Sequence, residues 1–411
     1  MRRMTNMLVL VTCFSFTALW FSGFFTSVYA SPKKPEVIRI AFIGDLSGPY
    51  AGVTGPTYVG LLDVTEYVNK ELGGIKGVPV EPVVRDSGGK VDVAISHYME
   101  LRDLKPRPLV LLNCVSSEAE ALRERLSEDK LPGLLVTSTS ALYPPGYSFG
   151  WYPLYSDQYG LFIDWLAEDW DRKKMGRRPK LAFLTWDSTY GRAVLTDECY
   201  AYARKKGIDV VATELFGLRD MDVSTQLAKI RNKGADWIYT NTLVHGPVAI
   251  KKSAYDLGYQ VNIAGGLGLD YACIMLGGKL VEGAVSIIPY ASWDEVTNRG
   301  VGKMAEYFTK NKRKKSYRTV MYHIVWATAL AAVEAIERAV DEVGWERLDG
   351  EAIKNQLEKM KDYSPLDIAY FTYSPTKRSP SKAKVMRIKG GKIIPITGWR
   401  ECPDLRPAKY K

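Results

Sequence analysis

Three short runs of hydroxyl-bearing residues carry the most suggestive chemistry in this sequence, and each follows a short apolar run. They are Ser116-Ser117-Glu118-Ala119-Glu120, Thr137-Ser138-Thr139-Ser140 and Asp187-Ser188-Thr189-Tyr190-Gly191. Hydroxyls at the start of a helix can cap the free N–H groups of its first turn. They can also join those N–H groups in gripping an anion, which the helix dipole favours there. For Ser117 the spacing to Glu120 fits a capping box, so capping is the simpler reading. For residues 137–140 both uses stay open, since one cap needs only one hydroxyl. Tyr190 fits equally an aromatic packed at a helix start and a ring facing a ligand.

Other chemistries find less support. The chain holds three histidines, His97, His245 and His323, and none sits in a recognisable catalytic motif. Cys114, Cys199, Cys273 and Cys402 show no CxxC or His-spaced pairing, which argues against structural zinc. Gly266-Leu267-Gly268 lacks the third glycine of a dinucleotide fingerprint. No metal, no cofactor and no enzymatic activity are therefore expected. The formal charge of +10 is spread along the chain, and only Lys310 to Lys315 forms a basic cluster. Such a run reads as a solvated loop or helix end rather than a nucleic-acid site.

The elements that would position these turns alternate short β-branched runs with amphipathic stretches of helical length, the signature of βαβ units around parallel sheets. Strands are expected at 37–43, 78–85, 109–113 and 133–136, with helices at 58–72, 91–103 and 117–127 between them. A second series places strands at 181–186, 210–215 and 237–240, with helices near 158–170, 190–206, 223–233 and 247–257. A long Ala-rich helix at 322–340 comes late, and strand-like runs at 369–373, 384–388 and 392–396 close the chain. In open parallel sheets ligands bind beyond the carboxyl ends of the strands, which is where the three hydroxyl turns fall.

The N-terminus reads as an export signal. Arg2 and Arg3 precede an apolar run from Met7 to Phe25 that ends in Val28-Tyr29-Ala30, so residues 1–30 are expected to be a cleaved secretory signal peptide. An uncleaved anchor fits the same run by length. No later segment is expected to span a bilayer. About 380 residues then remain, more than one hydrophobic core normally serves, so two lobes are expected.

Taken in order, several segments make a more specific pattern. The opening Ile40-Ala41-Phe42-Ile43-Gly44-Asp45-Leu46-Ser47-Gly48-Pro49 is followed by Gly73-Gly74-Ile75-Lys76-Gly77 and then Ser116-Ser117. Asp157-Gln158-Tyr159-Gly160, Tyr190-Gly191, Gly234-Ala235-Asp236 and Lys389-Gly390-Gly391-Lys392-Ile393-Ile394-Pro395 complete it. This series resembles the periplasmic Leu/Ile/Val-binding family of ABC-importer solute receptors, of type I periplasmic-binding-protein fold.

The resemblance implies an α/β architecture of two doubly wound parallel-sheet lobes joined by a three-strand hinge near Tyr155, Ile288 and Leu366. One lobe would comprise 36–155 plus 289–365, the other 156–288 plus 366–411. It implies a monomeric periplasmic receptor that closes on a small carboxylate-bearing ligand and presents it to the membrane permease of an ABC importer. The same fold also serves ligand sensors that feed a signalling partner. Ser116 or Ser117, with Thr139 and Ser140, would hold the carboxylate, and Tyr190 would close over it from the second lobe.

Two departures bear on the ligand. The family's acceptor for the amino acid's ammonium group falls at Leu267, and an expected aromatic is replaced around Asn241 to Leu243. An aliphatic side chain accepts no charge-assisted hydrogen bond, and burying an unpaired ammonium costs on the order of several kcal/mol. Either Asp270 substitutes, or the ligand is an aliphatic or aromatic acid without an amine, the reading favoured here. Residues 86–89, where the family's disulfide partner for Cys114 would fall, hold no cysteine, so no bridge is expected there.

Overall fold

A computed structural model describes residues 34–136, 138–170 and 175–411. The expected signal peptide lies outside these residues, as does Thr137. The short β-branched runs form two sheets. The first has strands β1 (Ile38–Gly44), β2 (Val80–Asp86), β3 (Val110–Asn113), β4 (Gly133–Leu135) and β5 (Ser148–Gly150), in the order β2-β1-β3-β4-β5. All its pairings are parallel.

The second sheet contains β6 (Lys180–Trp186), β7 (Asp209–Phe216), β8 (Trp237–Thr240), β9 (Asn262–Gly265), β10 (Val285–Ile288), β11 (Lys382–Lys389) and β12 (Lys392–Pro395), in the order β12-β11-β10-β9-β8-β6-β7. β11 runs antiparallel to both neighbours, and β13 (Arg400–Glu401) pairs with it at one end. β1, β3, β6 and β8 are buried along almost their whole length. That is why they read as unbroken apolar runs rather than alternating ones.

The intervening helices are α1 (Ala51–Glu71), α2 (Val91–Arg102), α3 (Ser116–Glu128), α4 (Thr139–Leu142) and α5 (Tyr155–Asp169), then α6 (Thr189–Arg192), α7 (Asp197–Lys205), α8 (Ser224–Asn232), α9 (His245–Asp256) and α10 (Tyr271–Gly277). Beyond β10 come α11 (Arg299–Lys310), α12 (Val320–Val343) and α13 (Gly350–Glu358). α12 lies along α1 on the first sheet's side. The chain therefore passes between the two halves three times: after β5, after β10, and between α13 and β11. Close approach of α1 and α12 depends on Gly60, where a Cβ would stand 2.6 Å from Val325 Cγ1.

Several expectations are corrected. α1 begins seven residues before the expected Tyr58 and takes in Gly52, Gly55 and Pro56, residues of low helix propensity. The helix expected across 190–206 is two helices, because the Thr196 hydroxyl accepts from Cys199 N and starts α7 afresh. Residues 369–373 form no strand beyond a single bridge between Tyr363 and Phe371. α12, at 24 residues, is apolar and long enough to cross a membrane, contrary to expectation, but it is the buried core helix of the first half.

The basic cluster is partly neutralised: Lys310 pairs with Glu66, and Arg313 with Asp63. Asp63 is fully buried and also accepts from Asn311 and Tyr322, tying the loop after α11 to α1.

Candidate functional site

Between the carboxyl ends of the two sheets lies a cavity of about 240 Å³. Its walls come from segments that directly follow β1, β3 and β4 on one side and β6, β8 and β9 on the other. Ser116, Ser117, Tyr190 and Leu267, four of the residues singled out from sequence, line it.

Of the three hydroxyl turns, two spend a serine on their own helix. Ser138 accepts from Ala141 N at the start of α4, and Ser188 accepts from Gly191 N at the start of α6. The turn after β3 differs. α3 starts from Val115 with no side-chain cap, and the expected Ser117–Glu120 capping box is not formed. Glu120 instead accepts from Ser138 and Ser140. The first-turn N–H groups of a helix have no acceptor within it. Here those of Ser116 and Ser117 belong to residues that line the cavity, a ready-made seat for an anion.

Glu118, one residue on, is fully buried, and its two oxygens accept from Ser87 (2.5 Å) and Asn113 (2.7 Å). Burial raises its carboxyl above the usual range, against the opposing effect of those two bonds.

The opposite wall carries Ser188 and Thr189 beside aromatic and aliphatic side chains. Tyr190 is buried, its ring meets that of Tyr155 edge-on at 4.9 Å, and its hydroxyl has no hydrogen-bond partner among the described residues. The Tyr155 and Tyr152 hydroxyls lie 3.0 Å apart. Leu243 and Leu267 complete this side, with Met321, from the start of α12, and Val53 on the first. Every described side chain lining the cavity is uncharged.

The remaining sequence candidates lie elsewhere. Thr139 and Ser140 are in α4, outside the cavity wall, and the Ser140 hydroxyl donates to Glu120. Asn241 is buried behind the wall, where its amide donates to Tyr190 O at 2.5 Å and its N–H to Thr185 Oγ1 at 3.2 Å; it positions Tyr190. Asp270 caps α10, accepting from Ala272 N at 3.0 Å and Cys273 N at 3.3 Å, and its other oxygen accepts from Val320 N. Burial pushes its carboxyl up to about 6.

The Gly-x-Gly at 266–268 is a packing device. A Cβ on Gly268 would stand 1.7 Å from Thr242 O. Cys114 lines the cavity, and it and the other three described cysteines are free thiols. No group of three or more potential metal ligands is found among the described residues.

A family profile described as periplasmic binding protein matches residues 37–392. The chain belongs to the periplasmic binding protein family. No curated protein sequence matches this binding protein. Among solved structures it is similar to a branched-chain amino acid ABC transporter protein from Thermus thermophilus with bound valine, at TM-score 0.81 and 20% identity over 91% of this chain and 98% of that one. A fatty acid ABC transporter substrate-binding protein from Thermomonospora curvata gives TM-score 0.76 and 21% identity, covering 91% and 95%. A branched-chain amino acid transporter substrate-binding protein from Streptococcus pneumoniae, in complex with isoleucine, gives 0.71 and 18%, covering 89% and 100%. At such identities the likeness establishes the type I fold of two α/β lobes.

Sequence reasoning missed several wall residues of this binding protein. Tyr50 and Val53 follow the matched first-strand loop and were within reach of the rule that searches after strands. Tyr152 and Tyr155 lie on the crossing between lobes, and Met321 opens a late helix. Tyr152 and Tyr155 follow β5, a three-residue strand too short to be read from sequence, and no strand-end rule points to Met321.

Proposed function

We propose that this protein is the extracytoplasmic solute-binding component of an ABC importer. It captures a small carboxylate-bearing ligand by closure of its two lobes and returns it unchanged to a membrane permease. The observation that carries the reading is the uncapped start of α3, the one of the three hydroxyl turns whose N–H groups are left for an anion at the cavity wall. Ser116 and Ser117 hold the carboxylate, and the unpartnered Tyr190 hydroxyl donates from the second lobe.

The uncharged lining favours an acid without an amine. Asp270, the alternative acceptor for an ammonium, has both oxygens occupied by backbone N–H groups. The valine and isoleucine of the T. thermophilus and S. pneumoniae proteins carry both charges, whereas a fatty acid carries one. A ligand shifts the open–closed equilibrium by as much as it binds the closed form better.

The test is mass spectrometry of small molecules released on denaturation, followed by titration of the acid found against Ser116→Pro. That substitution removes the Ser116 N–H at the first helical position, where proline is well tolerated. Val115 already has the extended backbone, φ −118° and ψ 119°, that a residue before proline adopts. Affinity should fall roughly tenfold or more, the worth of a hydrogen bond to a charged group. Unchanged affinity would remove the carboxylate from this seat.

A further inference from the structure

The cavity is not a closed box. A groove of about 400 Å³ lies beside it, lined among others by Trp186, Val244, Met275 and Leu276. A neck of about 10 Å³ lies between the two and borrows its walls from both. Val53 and Leu243 line cavity, neck and groove alike, while Leu267 and Met321 belong to cavity and neck. Most side chains along this path are apolar; Asp270, its oxygens held by backbone N–H groups, and Thr319 also line the neck, and His245 and Ser316 the groove, which reaches solvent past Met275 and Leu276, 48% and 54% exposed.

The neck also coincides with strained backbone. Val244 has φ +39° and ψ −81°, a conformation that a β-branched residue rarely adopts. Strain of this kind persists where surrounding structure holds it and clusters at ligand sites and moving segments.

We propose that the ligand is an elongated apolar carboxylic acid, its head group at the start of α3 and its tail passing between Val53 and Leu243 into the groove beside Trp186. This rests on the carboxylate reading above and adds to it the length and character of the rest of the molecule. A polar or doubly charged ligand would leave its far end against Leu243, Val244 and Leu276 without partners. An acyl chain gains from the same surface.

The experiment is calorimetric titration of straight-chain monocarboxylates from butanoate to decanoate. Affinity should tighten about fourfold per added methylene through the longer members. Decanoate brominated at its far carbon should quench tryptophan fluorescence, and Trp186→Phe should abolish most of that quenching. Leu276→Asp, at a half-exposed groove position, and the double variant with Met275→Asp should remove the gain for decanoate. Both should leave butanoate affinity unchanged, which also reports that they fold. Affinity that stays flat beyond hexanoate while the shorter acids bind would overturn the tail site and leave the carboxylate reading standing. Failure of every acid to bind would overturn both.

Discussion

Tyr190→Phe should move stability and affinity in opposite directions. In the free protein the Tyr190 hydroxyl is buried without a partner, and leaving such a group unsatisfied costs about 1–3 kcal/mol. Phenylalanine keeps the ring contacts with Tyr155 at 4.9 Å and Trp186 at 6.5 Å while removing the orphaned oxygen. The unliganded variant should therefore resist urea better than the parent by an amount within that range. If the same hydroxyl donates to the ligand's carboxylate, the variant loses a hydrogen bond to a charged group. At about 1.5–3 kcal/mol, this weakens binding roughly ten- to a hundredfold. Urea unfolding monitored by tryptophan fluorescence gives the first quantity and calorimetric titration the second. A variant that binds within twofold of the parent would refute the assignment of Tyr190 to the ligand, and one that unfolds more readily without ligand would refute the unsatisfied hydroxyl.

Ser140→Ala should leave ligand affinity within twofold of the parent by calorimetry, because that hydroxyl serves Glu120 and lies outside the cavity wall. Asp157 is fully buried, with one oxygen accepting from Leu405 N and the other unpartnered, and burial pushes its carboxyl up to about 7. The folded protein thus holds this proton over a range where the unfolded chain, with a carboxyl near 3.9, has lost it. This contribution to stability is full below about pH 4 and lost as the pH rises through about 7. Asp157→Asn should flatten that fall and add on the order of 3–4 kcal/mol at pH 8, read from urea midpoints at pH 5 and pH 8. Asp63→Ala removes the common acceptor of Arg313, Asn311 and Tyr322. It should cost about 1–3 kcal/mol in urea unfolding, chiefly from leaving the buried Tyr322 hydroxyl without its acceptor, since Arg313, 21% exposed, can rehydrate.

The strand runs at 181–186, 210–215 and 237–240 lie within a residue of β6, β7 and β8. Burial on both faces of β6 and β8 leaves a local mark, a nearly unbroken apolar run, that sequence carries without help, and the half-buried edge strand β7 is marked instead by its β-branched Val210, Val211 and Thr213. Helix starts were less legible. α1 absorbs Pro56 and two glycines because α12 packs along it, and the pairing of Gly60 with Val325 joins residues far apart in the chain.

Local periodicity in the sequence carried the α/β class, chain length pointed to two lobes, and position just after a strand pointed to the turns that hold Ser116, Ser117 and Tyr190. The resemblance alone pointed to Leu267, and the strands β5, β9 and β10 and the order of strands within each sheet were not legible. Tertiary structure alone decided which of three similar hydroxyl turns leaves the start of its helix without a side-chain cap. Whether Glu120 caps its own helix or accepts from Ser138 and Ser140 depends on how α3 and α4 are set beside each other. It also decided that Asp270 is occupied by the backbone of α10 and α12, and that Tyr152, Tyr155 and Met321 meet at one cavity. A hydrogen bond goes to whichever partner folding brings within reach, and no spacing along a chain records that choice.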